Sequence, residues 1–253
     1  MAKYGWDPHV GRLLGSFFDP NFMGGFLSLV LALVLSLLTS KKGYYRGLLT
    51  VFAAGLFIAI ILTFSRSSYL ALAGVVFVIG LFRARWLIVI GTAAFLVALL
   101  FIPRIEARIT EGPSPGDSAY FRFITWGNAL KVFESSPITG VGFNSYRYAQ
   151  ERLNIAPTDL AGNSGAGSDS SSLLVLATTG VLGFSAFLYL LFRIAQLGWR
   201  NMRRGGDIGL ALLASLAGLA LHSQFVNSFF YIWIMAWFWI LVGLTEGERE
   251  EIK

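Results

Sequence analysis

Seven apolar stretches, each near the length that crosses a bilayer as a helix, divide the chain at 22–39, 47–64, 67–82, 86–102, 172–192, 208–223 and 228–245. The third and sixth are short, so tilt, re-entrance or support from neighbours is expected, because lipid tolerates no unsatisfied backbone. Short polar connections separate most of them, and one long segment, 103–171, separates the fourth from the fifth. The pattern predicts an all-α fold: a polytopic helical membrane protein of about seven transmembrane helices in a single membrane domain, 1–253, with a large outer loop. Inside that loop, 119–134 reads as a helix with Phe123, Trp126, Leu130 and Phe133 on an apolar face and Arg122 near Trp126. Such a helix can lie on the membrane surface. The breaker-rich runs 112–118 and 161–172 are expected to be mobile. The segment before Phe22 carries Lys3, Asp7, Arg12 and Asp19 and lacks the order of a signal peptide.

Composition strengthens the membrane reading: 55% of residues are hydrophobic, 13% are charged, and mean hydropathy is +0.66. The absence of cysteine excludes disulfides and thiolate metal sites, and two histidines are too few for a histidine-rich one. A net charge of +6 raises nucleic acid as a partner. Most Lys and Arg, however, sit in short segments between apolar stretches, where they set topology. The expected partners are therefore membrane lipids, with no nucleic acid. Lys41, Lys42 and Arg46, then Arg83 and Arg85, then Arg193, Arg200, Arg203 and Arg204 fall on one side if seven spans alternate. The loop 103–171 has six basic and seven acidic residues. It lacks the cytoplasmic bias, so the reading places it on the outer side of a multi-pass protein of the cell membrane, with the C-terminus cytoplasmic.

The outer face then gathers the unusual residues. Arg66 stands between two uncharged apolar stretches, and a charge there usually marks a substrate or ion pathway. Arg12 and Asn21 precede the first span, Arg122 lies in the loop helix, and Asp169 precedes the fifth span. Several arginines on one face suit a phosphorylated lipid, because the guanidinium fork binds phosphate oxygens bidentately. The plainer alternative for any one of them is snorkelling to headgroups. Asp169 can act on a hydroxyl as a general base. Followed by Ser170, Ser171 and Ser172, it also reads as a helix cap, and the two roles are compatible. His222 clusters with Gln224 and Asn227, and a histidine there is more often a hydrogen-bonding helix-end residue than a catalyst. Gly140-Val141-Gly142 reads as a tight turn rather than a dinucleotide motif. Gly180 and Gly183 read as small residues that let helices approach closely inside the fifth span.

In order, these residues resemble the O-antigen ligase and O-antigen polymerase family, membrane glycosyltransferases that use glycans linked to polyprenyl pyrophosphate. Arg12 to Asn21 resembles the family's Arg-x-x-Gly-x-x-x-x-Pro-Asn segment, and Thr63 to Ser67 its Ser-Arg turn. Arg122 to Trp126 and then Pro137 to Asn144 resemble its outer-loop helix and Gly-x-Gly-x-Asn turn, and Asp169 to Gly183 its polar pair, apolar helix start and Gly-x-x-Gly. The chain departs from the pattern in two ways. Asp169 stands where ligases commonly carry histidine, and seven spans are fewer than family members usually have, so the resemblance implies the C-terminal core portion of a longer architecture. It implies transfer of a glycan from a polyprenyl-pyrophosphate donor to a lipid, glycan or protein acceptor, metal-independent, without cofactor and with inversion. Arg66 and Arg122 would be catalytic through the pyrophosphate, and Asp169 through the acceptor hydroxyl. Arg12, Asn21, Asn144 and His222 would complete the substrate-binding set. A non-catalytic component of a surface-polysaccharide system, or a lipid-linked glycan transporter, are the alternatives.

Overall fold

The computed structural model describes residues 9–110, 118–155 and 167–251, and among them the regular elements are all helical. They are α1 (Pro20–Ser40), α2 (Gly43–Leu62), α3 (Arg66–Phe82), α4 (Trp86–Phe101), α5 (Pro103–Thr110), α6 (Ser118–Ser135), α7 (Tyr146–Arg152), α8 (Ser171–Arg203), α9 (Asp207–His222) and α10 (Ile232–Glu251). Each apolar stretch falls on a helix. By length and composition α1, α2 and α8 can cross a bilayer, while α3, α4 and α9 are apolar but shorter. The protein is a helical membrane protein. The last stretch begins later than its hydropathy suggests, because Ser228–Phe230 forms a 3-10 turn before α10. The breaker-rich residues 112–117 and 161–166 lie outside the described residues.

Two compact units divide the chain. The larger comprises 11–111, 191–222 and 228–253. Its helix starts are set locally: Asp19 caps α1 by accepting from the amides of Asn21 (2.6 Å) and Phe22 (3.2 Å), with Pro20 in the first turn. Close approach depends on small residues. A Cβ on Gly24 would meet Ser68 Oγ at 2.2 Å, and one on Gly218 would meet the Ala71 carbonyl at 2.9 Å, so α1, α3 and α9 pack almost backbone to backbone. Ile60, Val75, Ile79 and Leu210 fill the space between them and are fully buried. At one end a polar clamp ties five helices. Arg83 pairs with Asp207, Ser40 Oγ donates to Asp207 (2.5 Å), and Glu248 accepts from the first two amides of α9 at 3.1 Å each. Asn201, with no exposed surface, accepts from Gly209 N (3.0 Å) and donates to Thr245 O (3.2 Å).

The smaller unit comprises 1–10, 112–190 and 223–227. The expected helix 119–134 is present as α6, but its buried face is a different one. Thr125, Asn128, Ala129 and Val132 point inward against Tyr146, Ala149 and Ala177, while Phe123 and Leu130 are 58% and 45% exposed. Small and polar residues win that face because Asn128 answers the Ile155 carbonyl (3.0 Å) and Val132 packs with Ala129 in the cluster. The fifth apolar stretch is not one straight helix either. Gly180 has φ 63 and ψ −167, a conformation essentially confined to glycine, and it breaks α8. The carbonyls that lose their helical partners are taken by the turn after α6: Val141 N donates to Ala177 O (3.1 Å) and Gly142 N to Thr178 O (2.9 Å). In return Val181 N donates to Pro137 O (2.9 Å) and Leu182 N to Ile138 O (3.3 Å). Irregular backbone survives beside a membrane segment when its polar groups are re-satisfied this way. Gly180 and Gly140 are therefore required by the crossing itself: a Cβ on either would lie 2.3 Å from backbone of the other segment.

Candidate functional site

In the larger unit the polar residues converge on the turn between α2 and α3. Ser65 is the N-cap of α3, its Oγ accepting from Ser68 N (3.3 Å), so Arg66 is the first residue of the helix rather than the middle of a turn. Phe64 before it adopts a left-handed φ of 47, which a bulky residue takes only under constraint. That constraint is visible. Leu13 N donates to Leu62 O and Arg12 Nε to Thr63 O, both at 2.9 Å, strapping residues 12–13 across the end of α2. Arg104 lies with its guanidinium carbon 4.7 Å from the centre of the Phe64 ring and donates to Gly11 O (2.9 Å). Three arginines thus attend one turn, beside the positive end of α3.

Beneath them Asn21 is a structural hub. Its Oδ1 accepts from Ser65 Oγ (2.7 Å), and its carbonyl accepts from Ser68 Oγ (3.3 Å) and His222 Nε2 (3.0 Å). A carbonyl only accepts, so Nε2 carries a proton and donates to Asn21 O, while Nδ1 lies 2.5 Å from Ser228 Oγ. His222 has no exposed surface. The structure therefore joins Arg12, Asn21, Arg66 and His222, the last in the helix-end, hydrogen-bonding position.

The smaller unit holds Arg122, Asn144 and Asp169. Ser170 takes the N-cap position of α8, its Oγ accepting from Leu173 N (3.3 Å), so the capping oxygen comes from Ser170 while Asp169 stands one residue outside. Asp169 Oδ2 accepts from Thr125 Oγ1 (3.3 Å), and the same hydroxyl lies 3.0 Å from the Arg122 carbonyl, so one threonine connects α6 to the start of α8. Ser171 bonds Ser223 O (2.8 Å) and Asn227 Oδ1 (3.1 Å), and Gln224 Nε2 donates to Ser172 Oγ (3.0 Å); the 223–227 turn fixes the segment that carries Asp169. Burial, and then the charge of Asp169, push the Tyr146 phenol well above its usual range, so it remains a hydrogen-bond donor. Asn144 is exposed with φ 59, a turn position asparagine tolerates, and serves the approach to α7. Among the described residues no three His, Asp or Glu side chains gather as metal ligands would.

Residues 48–188 match the family model described as O-antigen ligase, more than half of the 253. The chain belongs to the O-antigen ligase family. Membership gives it a ligase-like or polymerase-like membrane function in polysaccharide assembly, within a glycosyltransferase-like enzyme class that works on lipid-linked glycans and their acceptors. Arg66, Arg122, Asn144 and Asp169 lie inside the match, and Arg12, Asn21 and His222 outside it. A search of curated proteins finds no match. Sequence reasoning overlooked Arg104, Thr125 and Tyr146 in this O-antigen ligase-family protein. Arg104 follows directly on an apolar stretch and Tyr146 stands two residues beyond the Gly-x-Gly-x-Asn turn, but neither position alone signals a contact.

Proposed function

We propose that the protein transfers a glycan from a polyprenyl-pyrophosphate-linked donor to an acceptor hydroxyl on the outer face of the cytoplasmic membrane, inverting and metal-independent. The observation that carries this reading is the family match containing Arg66, Arg122 and Asp169. Arg66 at the start of α3, with Arg12 held beside the same turn, is read by the family resemblance as offering fixed positive charge to a leaving pyrophosphate. In the role the family resemblance gives it, Asp169 takes the proton of the acceptor hydroxyl as the acceptor oxygen bonds to the sugar carbon, and the bond from that carbon to the pyrophosphate oxygen breaks, releasing polyprenyl pyrophosphate. A role for Arg122 at the phosphate rests on the family resemblance. With seven spans alternating, the charge distribution favours 103–171 outside and the C-terminus in the cytoplasm.

The test is transfer in liposomes containing the full chain, purified polyprenyl-pyrophosphate-linked glycan and candidate acceptors. Arg66→Ala is expected to lose about 10²- to 10³-fold in kcat, as loss of a fixed charge-stabilising donor does, with unchanged membrane insertion. Undiminished transfer by the variant removes Arg66 from the mechanism. No transfer by the wild type leaves a non-catalytic component of the same system.

A further inference from the structure

The turn that follows α6 carries no charge from Ser135 to Tyr146, and Glu134 and Arg147, which flank it in sequence, are both exposed. Within it Ile138 is 66% and Phe143 89% exposed. Val181 and Leu182, whose amides bond its carbonyls, are 51% and 63% exposed. Large apolar side chains left open side by side mark a surface that meets something other than water. The backbone of the turn is closed as well. The amide of Gly140 donates to Ser136 O (2.9 Å), those of Val141 and Gly142 donate to α8, and Gly140 O accepts from Ser136 Oγ (2.8 Å). Pro137 has no N–H to satisfy. A turn bathed in water has no need of such closure, whereas hydrocarbon demands it.

The length of α8 sets the depth. Beyond Gly180 the helix runs unbroken to Arg203. Arg200 and Arg203 avoid hydrocarbon, so the apolar layer ends no later than Trp199, an exposed ring of the kind that sits at membrane interfaces. From Val181 to Trp199 the helix rises about 28 Å, and the layer is about 30 Å thick. Its other boundary therefore falls at Gly180 or closer to Ser171. Tilt, or an end nearer Arg193, moves it closer still. The crossing of Pro137–Gly142 with Ala177–Leu182 thus lies at or below that boundary. We propose that the turn 137–143 is embedded in the bilayer beside α8, with Ile138 and Phe143 against the acyl chains of the leaflet opposite Arg200 and Arg203. Lipid is the occupant because the surface continues along a membrane-spanning helix, where Leu188 and Tyr189 are exposed too. The turn anchors the long segment between α5 and α8 near its middle.

The chain has no cysteine, so single spin labels attach at Ile138→Cys, Phe143→Cys and, as the water-facing control, Glu134→Cys. The full chain is held in phospholipid nanodiscs, and power-saturation EPR compares oxygen, which partitions into lipid, with a water-soluble nickel chelate. Oxygen is expected to relax the labels at 138 and 143 more strongly than the chelate does, and the order to reverse at 134. Stronger relaxation by the chelate at either 138 or 143 overturns the proposal and puts the turn in water. Shielding of both labels from both reagents also overturns it, and assigns the surface to a protein partner. Phe143→Glu needs no label: it carries a charge into the apolar layer and is expected to lower the proteolysis midpoint in nanodiscs. A midpoint equal to wild type contradicts the embedding, because a side chain this exposed leaves no packing to lose if water surrounds it.

Discussion

Replacing Gly180 with alanine tests the broken start of α8. At φ 63 and ψ −167 any other residue is strained by about 1–3 kcal/mol. The new Cβ would lie 2.3 Å from Ile138 O and 2.6 Å from Gly140 N. Both are backbone atoms, so the Pro137–Gly142 segment must withdraw. Withdrawal forfeits at least the bonds from Val181 N to Pro137 O and from Leu182 N to Ile138 O, each worth about 0.5–1.5 kcal/mol net. The combined cost is about 2–6 kcal/mol, comparable with the whole margin of a small folded unit. Gly127 in α6 is the internal control: nothing lies within 4 Å of its Cβ position, so alanine there should stabilise by about 0.5–1 kcal/mol through chain entropy. The assay is heat-dependent proteolysis in nanodiscs, following cleavage between 137 and 182. Gly180→Ala is expected to lower the midpoint by about 10 °C or more, since each kcal/mol moves a unit of this size by roughly 4–8 °C, while Gly127→Ala leaves it unchanged or higher. If Gly180→Ala melts with the wild type, the exchange of backbone bonds is dispensable and the reasoning fails.

Two further expectations concern stability. Asn201→Ala leaves Gly209 N and Thr245 O without their buried partner, and should cost about 2–4 kcal/mol on the usual penalty for two orphaned groups; a change below about 0.5 kcal/mol in denaturant midpoint, within the scatter of ordinary surface substitutions, would show that water replaces the amide. Tyr146 holds its proton more tightly when folded than when unfolded, so the folded state binds more protons at high pH. Its contribution is complete below the ordinary phenol value of 10.0 and is lost progressively as pH rises above it. Melting curves between about pH 9 and about pH 11 should therefore fall less steeply in Tyr146→Phe than in wild type, and parallel slopes would contradict the assignment.

The helices were legible because unbroken apolar runs of near-bilayer length leave the backbone little choice. Gly180 was legible only as a small residue: the reason it breaks α8 lies some forty residues upstream, in the carbonyls of Pro137 and Ile138. The inward face of α6 escaped for a related cause. Phe123, Trp126, Leu130 and Phe133 form the stronger hydrophobic stripe, yet the partner surface, with Tyr146 and Ala177, admits Thr125, Ala129 and Val132. Arg66 announced itself by its isolation in apolar sequence. Asn21 and His222 were visible as polar residues at helix ends, but nothing in their spacing says that the ring of one bonds the carbonyl of the other. Arg104 was counted as topology and turns out to stack on Phe64. A charge census records sign and position, and it cannot record what lies beneath a side chain.

The reciprocal pairing of Val141 and Gly142 with Ala177 and Thr178, and of Val181 and Leu182 with Pro137 and Ile138, has a kinetic consequence. Because each segment supplies the acceptors of the other, these four amides are expected to lose their protons to deuterium together, as one cooperative opening rather than residue by residue. The start of α8 then differs from an ordinary helix end, which frays from its tip. The same linkage orders assembly. The first turns of α8 reach their final form only after the loop from 142 to 177 has closed, and a chain arrested before closure would hold Gly180 in a conformation with nothing to specify it.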